Sequence, residues 1–236
     1  MRRPVALRRR AERRERHESD TRRRCPRMRR ATIVRNMSSS SVFDVDWVFG
    51  YGSLIWNPEI EFEQASLARL HGWHRSFCVS STRYRGTADE PGVVLGLDRG
   101  GSCVGIAYRL RDESREDAIR QLWEREIPDW ETRVYRPLVA EVRLRGERPV
   151  RALTFAADRE RPTYVRLAED EILRRLHLCR GHRGANREYA VNTWRALESH
   201  GVRDVRLARL VRRLLAEADA RAAQAPEASL IAEAVS

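Results

Sequence analysis

Lysine does not occur in this chain: all 46 basic residues among its 236 are arginine. No binding surface demands one cation at every position, so the bias reads as codon usage in a GC-rich genome. Arginine abundance alone is therefore no argument for nucleic acid. Long apolar runs are also missing. Nothing approaches the roughly 20 apolar residues of a membrane-spanning helix, and the basic N-terminal stretch has no apolar core of a secretory signal. Cysteine is scarce. Cys25, Cys78, Cys103 and Cys179 lie far apart with no CxxC pair, which argues against a disulfide scaffold and for free thiols in a reducing, cytoplasmic setting. His71 with His74, and Cys179 with His182, have loosely ligand-like spacing, but a zinc site needs four converging ligands. There is no P-loop and no GxGxxG.

The net charge lies at one end. Residues 1–36 hold 15 of the arginines and four of the 34 acids, so +11 of the net +12 sits there and the remainder is near neutral. Such a block stays disordered and attracts polyanions through counterion release. Four acids and no apolar face argue against a transit peptide. Met37 opens the serine run MSSSS just before the first strand, and is a second candidate start. Three segments are expected: a disordered Arg-rich extension over 1–44, one domain over 45–222, and a flexible tail over 223–236. Nucleic acid is expected as a partner only weakly, through the extension, and a membrane not at all.

Within the body, WVFG (47–50) and HGWHRSFCVSS (71–81) read as strands. In PGVVLGLDRGGSCVGIAYRL (91–110) two apolar runs flank Asp98-Arg99-Gly100-Gly101, the pattern of a hairpin. Residues 134–157 read as a strand pair around Gly146. Helical periodicity marks 114–127, 168–179, 185–199 and 203–222. Ser114 and Asp117 stand at capping-box spacing for the first of these helices. Strands first and helices later, joined by hairpins rather than crossovers, give an α+β chain with a mostly antiparallel sheet or barrel.

Two features are odd for a purely structural chain. In WVFGYGSLIW (47–56), Gly50 and Gly52 bracket Tyr51 directly after a strand. In SREDAIRQLWEREI (114–127), Ile119, Leu122 and Trp123 form an apolar stripe, and Glu126 falls about 20° from Ile119, in its middle. Glu124 falls about 140° away, on the opposite side. A carboxylate on an apolar face is costly unless it is paired or protonated. Either the helix end frays and Glu126 meets water or an arginine, or burial raises its pKa toward that of a general acid/base. No Ser-His-Asp or Cys-His arrangement competes with it.

Five blocks in order, VFGYGSLIW (48–56), STRYRG (81–86), PGVVLGL (91–97), CVGIAYRL (103–110) and LWERE (122–126), resemble the ChaC-type, glutathione-specific gamma-glutamylcyclotransferases. The resemblance spans roughly residues 47–195. It implies a small, mostly antiparallel β-barrel with flanking helices and the C-terminal helices packed on it. It also implies a substrate loop made of Val48, Phe49, Gly50, Tyr51, Gly52, Ser53 and Leu54, with Glu126 as the acid/base. The implied reaction is cyclisation of the gamma-glutamyl group of glutathione to 5-oxoproline, with release of Cys-Gly. No metal or cofactor is required. One departure stands out: many members follow this Glu with a short turn containing Gly and then Tyr, whereas IPDWETRVY (127–135) has no Gly and a longer path to Tyr135. Other gamma-glutamyl amines or peptides remain alternative substrates. A catalytically inert module of the same fold, or a non-catalytic nucleic-acid binder using the Arg-rich arm, are the alternatives of other classes.

Overall fold

The computed structural model describes residues 44–128, 130, 131 and 133–233. The expected extension through residue 43, with Cys25 and Met37, lies outside them.

Five strands close into a barrel in the order β1-β3-β2-β4-β5. They are β1 (Trp47–Gly50), β2 (Phe62–Ser81), β3 (Gly92–Leu110), β4 (Tyr135–Leu144) and β5 (Pro149–Ala157). Neighbours pair antiparallel, and the barrel is closed by a parallel pairing of β1 with β5 through Trp47↔Ala152 and Val48↔Leu153. A single parallel bridge, Leu97↔Ala156, joins β3 to β5. Closure leaves β1 buried at all four positions, which is why its sequence is a bulky apolar run rather than an alternation.

The hairpin expected within 91–110 does not form. Residues 92–110 are one strand, paired antiparallel with β2 along nearly its whole length. Gly100 (φ 99°) and Gly101 (φ 69°) oppose Gly72 (φ 79°), where the register slips between His71↔Ser102 and Trp73↔Arg99. Positive-φ glycines serve a bulge as readily as a turn. Here they bend two long strands at the same level instead of reversing one. The same pairing recruits residues 62–70, whose charges hide their strand character. The pair around Gly146 (φ 79°) forms as expected, as β4 and β5.

Four helices follow the expected order: α1 (Arg115–Glu126), α2 (Glu169–Leu178), α3 (Asn186–Ser199) and α4 (Val205–Glu233). The capping box does not form. Ser114 ends a 3-10 turn at φ −114°, ψ 6°, not in the extended conformation of a cap, and its buried Oγ has no hydrogen-bond partner among the described residues. Helix α4 runs beyond residue 222, through Pro226, to Glu233. A minimal hairpin that periodicity could not show, β6 (Arg180–Gly181) with β7 (Gly184–Ala185), separates α2 from α3. Leu173, Leu176, Tyr189, Ala190, Val211 and Leu214 of the helices share one buried cluster with Phe49, Leu95, Leu97 and Ile106 of the barrel. Among the described residues no helix is long and apolar enough to cross a membrane.

Candidate active site

The chain leaves the barrel at Gly50 and winds into a 3-10 turn, Ser53–Ile55. Val48 and Phe49 are fully buried in the barrel, and Leu54 is buried behind the turn. Tyr51 is buried too. Its hydroxyl donates to the Phe155 carbonyl at 2.7 Å, and its own carbonyl accepts from Arg75 Nε at 2.6 Å. Arg75 is itself held by the Val104 carbonyl at 2.7 Å and by Asp204 at 2.5 Å, so the loop rests on a buried, fully partnered cation. A Cβ on Gly50 would lie 2.9 Å from Leu54 Cβ, and one on Gly52 would lie 3.1 Å from the Tyr189 hydroxyl. Both glycines thus permit close approach rather than an unusual φ. Of the seven expected loop residues, Ser53 lines the adjoining cavity; the others support it from behind.

That cavity has a volume of about 770 Å³ and runs between the loop, α1, the strap after β2 and α3. This is within the range of small-molecule sites. Glu126, the last residue of α1, lines it with its side chain 16% exposed, while Glu124 is exposed. The helix stops there because Ile127 leaves helical geometry (φ −132°, ψ 64°) and Pro128 follows. Ile127 is buried beneath the last turn.

Arg125 is the residue that sequence reasoning missed. Its Nε sits 3.1 Å from Glu126 Oε1, its Nη2 donates to Ser53 Oγ at 2.7 Å, and its Nη1 reaches the Asn57 carbonyl at 2.8 Å and Glu59 Oε2 at 3.0 Å. One planar fork therefore ties the candidate acid/base to the glycine-flanked loop. The only trace in the sequence was its place beside Glu126.

Burial raises the pKa of Glu126, opposed by the positive charges of Arg125 and Arg183. Two phenols share the cavity wall. Tyr135 donates to the Leu95 carbonyl at 2.8 Å, and Tyr189 accepts from the Leu95 N–H at 3.2 Å. Burial holds both well above the ordinary phenol value, against the opposing pull of the Leu95 hydrogen bond at Tyr189, so they stay neutral. Tyr135 reaches the cavity although the preceding loop lacks the family's Gly. Trp130 of that loop stacks on Trp123 (6.4 Å, 9° between planes), and Arg133 covers Trp130 while pairing with Asp158 at 3.0 Å. Arg85, from STRYRG, is a second missed wall residue. It is buried, donates to the Ala185 carbonyl at 3.0 Å and lies over the Tyr189 ring.

Cys78, Cys103 and Cys179 are free and buried. No group of three or more His, Cys, Asp or Glu able to hold a metal comes together among the described residues. His74 bonds the Gly100 carbonyl at the double bend, a structural role.

Residues 46–217 match the family model described as ChaC-like protein. The chain is 38% identical over 175 residues to the glutathione-specific gamma-glutamylcyclotransferase of Escherichia coli, covering 72% of this chain and 74% of that protein. It is 30% identical over 183 residues to gamma-glutamylcyclotransferase 2-3 of Arabidopsis thaliana, covering 73% and 92%. Its fold superposes on the crystal structure of the yeast gamma-glutamylcyclotransferase specific to glutathione with a TM-score of 0.65 at 21% identity, over 71% of this chain and 94% of that one. The barrel, the cavity and these likenesses agree: the chain belongs to the ChaC-like family of gamma-glutamylcyclotransferases.

Proposed function

We propose that this protein is a cytoplasmic, glutathione-specific gamma-glutamylcyclotransferase that releases 5-oxoproline and Cys-Gly without a metal or cofactor. The observation that carries the reading is the joining of Glu126, a buried carboxyl with raised pKa, to Ser53 of the glycine-flanked loop through Arg125.

In this reading Val48–Leu54 is the substrate loop. The first bond of its 3-10 turn runs from the Ile55 N–H to the Gly52 carbonyl. The N–H groups of Ser53 and Leu54 precede that bond and take no carbonyl within the turn. That of Ser53, which lines the cavity, is suited to the α-carboxylate of a gamma-glutamyl group, and Arg85 adds positive charge to the same cavity wall. Glu126 takes a proton from the α-ammonium. The freed amine attacks the gamma-carbonyl carbon and a five-membered ring closes. Glu126 then returns that proton to the departing cysteinyl nitrogen as the amide C–N bond breaks, so the carboxylate is regenerated. The second proton left on the new ring nitrogen passes through solvent to the released amine, giving a neutral lactam and the Cys-Gly ammonium. Because attack is intramolecular, holding the group in its folded conformation supplies much of the acceleration, and the acid/base supplies the proton traffic.

The specificity for glutathione rests on the likeness to relatives that are glutathione-specific. Cytoplasmic placement rests on the three buried free thiols. Incubation with glutathione should yield 5-oxoproline and Cys-Gly in equal amounts, with kcat/KM higher than for gamma-glutamyl-alanine. Equal values, or preference for the dipeptide, would replace this reading with a general gamma-glutamyl cyclotransferase.

A further inference from the structure

Five arginines (83, 85, 125, 133 and 183) line the cavity against two glutamates, Glu59 and Glu126. Three of the five are engaged deep in the wall: Arg125 by Glu126 and Ser53, Arg133 by Asp158, and Arg85 by the Ala185 carbonyl. The other two stand exposed at the mouth. Arg83 and Arg183 both lie against the ring of Tyr84, at 5.5 and 5.0 Å from its centroid. They are brought together by the β6–β7 turn, which is strapped to the segment after β2. The His182 N–H donates to the Arg83 carbonyl and the Arg183 N–H to the Tyr84 carbonyl, each at 3.0 Å. Gly181 makes this strap possible, since a Cβ there would lie 2.5 Å from the Tyr84 backbone carbon.

These two cations are poorly neutralised by the protein. Arg83 has no side-chain hydrogen bond or ion pair among the described residues beyond the Tyr84 ring. Arg183 has a 3.6 Å contact with Glu59, whose same oxygen is held more closely by Arg125. Two like charges beside one phenol ring, on segments tied together by backbone bonds, create an anion site next to an aromatic side chain.

We propose that Arg83 and Arg183 bind the free carboxylate at the far end of the leaving dipeptide, so that the enzyme selects gamma-glutamyl peptides ending in a carboxylate. This rests on the cyclotransferase reading above, and the reach is consistent with it. From the scissile carbonyl, two extended residues span at most about 7 Å. Glu126 and Arg183 are linked across the cavity by contacts through Arg125 and Glu59 of 3.1, 3.0 and 3.6 Å. Ser53, Glu126, Arg83 and Arg183 line the same cavity, so a substrate with its gamma-glutamyl end at Ser53 and Glu126 points its second carboxylate toward the mouth. The net positive wall also matches glutathione, which carries two carboxylates against one ammonium.

The test compares glutathione with its glycyl ethyl ester, in the full-length enzyme and in Arg83→Gln/Arg183→Gln. The native enzyme should favour the acid by about tenfold in kcat/KM, the scale of a hydrogen-bonded charge pair, chiefly through KM. In the double variant the acid-to-ester ratio should approach one. A native enzyme that turns over acid and ester alike overturns the mouth assignment and leaves the cyclotransferase reading intact. So does a double variant that keeps the native ratio. No 5-oxoproline from either substrate overturns both.

Discussion

Arg125 and Ser53 are joined by a 2.7 Å hydrogen bond from Nη2 to Oγ, while Nε of the same guanidinium lies 3.1 Å from Glu126. The distance from Glu126 to the glycine-flanked loop is thus set by one rigid, planar group, not by two elements that merely pack nearby. Placing Arg125 and Glu126 on the last turn of α1 lets both side chains reach past the helix end.

Exchange of Arg125 for lysine keeps the charge and loses the fork. Arg125→Lys can satisfy one or two of the partners Ser53, Asn57, Glu59 and Glu126, but not all of them. Turnover should fall at least about tenfold with a rise in KM, and stability by about 1–3 kcal/mol, because buried acceptors go unpaired. Steady-state kinetics and urea denaturation read the two effects. Native kinetics in this variant would show that the clamp is incidental.

The two glutamates of LWERE separate by burial. Glu126→Gln keeps the shape but cannot carry a proton, and should lower kcat by at least about 10²-fold with little change in KM. Glu124→Gln, on the exposed side, should change neither rate nor stability beyond about 0.5 kcal/mol. Assayed side by side, an inactive Glu124→Gln or an active Glu126→Gln would remove Glu126 from the mechanism.

Protonation of Glu126 also has a stability signature. Its folded pKa lies above the ordinary 4.5, so between the two values the folded state binds more protons than the unfolded state. Stability contributed by this group is therefore present below the ordinary pKa, is lost as pH rises through the window, and is level above the raised value. Glu126→Gln has no such loss, so its stability advantage over the native protein should grow with pH from about 4.5 and then plateau. Urea unfolding across that range measures it; an advantage that shrinks with pH would mean that Glu126 is stabilised as the anion. In activity, the acid limb of kcat/KM should lie above the ordinary glutamate range.

Barrel closure leaves no room at Gly105. A Cβ there would sit 2.2 Å from the Gly50 carbonyl oxygen and 2.9 Å from Phe49 Cζ. Gly105→Ala must push β1 from β3, at a cost of about 3 kcal/mol, and should disturb the loop that begins at Gly50. A thermal melt within 1 °C of the native protein would contradict this packing.

Deletion of residues 1–36 should leave turnover and thermal stability nearly unchanged, because that segment carries too little apolar surface to pack. Any affinity for RNA or heparin should vanish with it and fall steeply with salt. Loss of fold on deletion would place the segment within the domain.

Much of this was legible in the chain because it is local. Helical phase alone set Glu126 apart from Glu124, and the three- and four-residue spacing of apolar side chains marked all four helices. The bulky run at 47–49 marked a strand, and Gly50 and Gly52 marked a place of close approach. Other features depend on what lies opposite. Gly100 and Gly101 carry the same positive φ in a bulge as in a hairpin. Whether they bend or reverse the strand is decided by the partner, whose legible part, 71–81, extends back to residue 62 only by pairing with β3. The cavity is of the same kind. Ser53, Arg85, Arg125, Tyr135 and Tyr189 come from five separate stretches, and no spacing in the sequence relates them. They meet because β1 closes on β5 and α3 packs across the barrel mouth. The acid could be read from its own helix; its partners were chosen by long-range closure, which leaves no periodic mark in a single sequence.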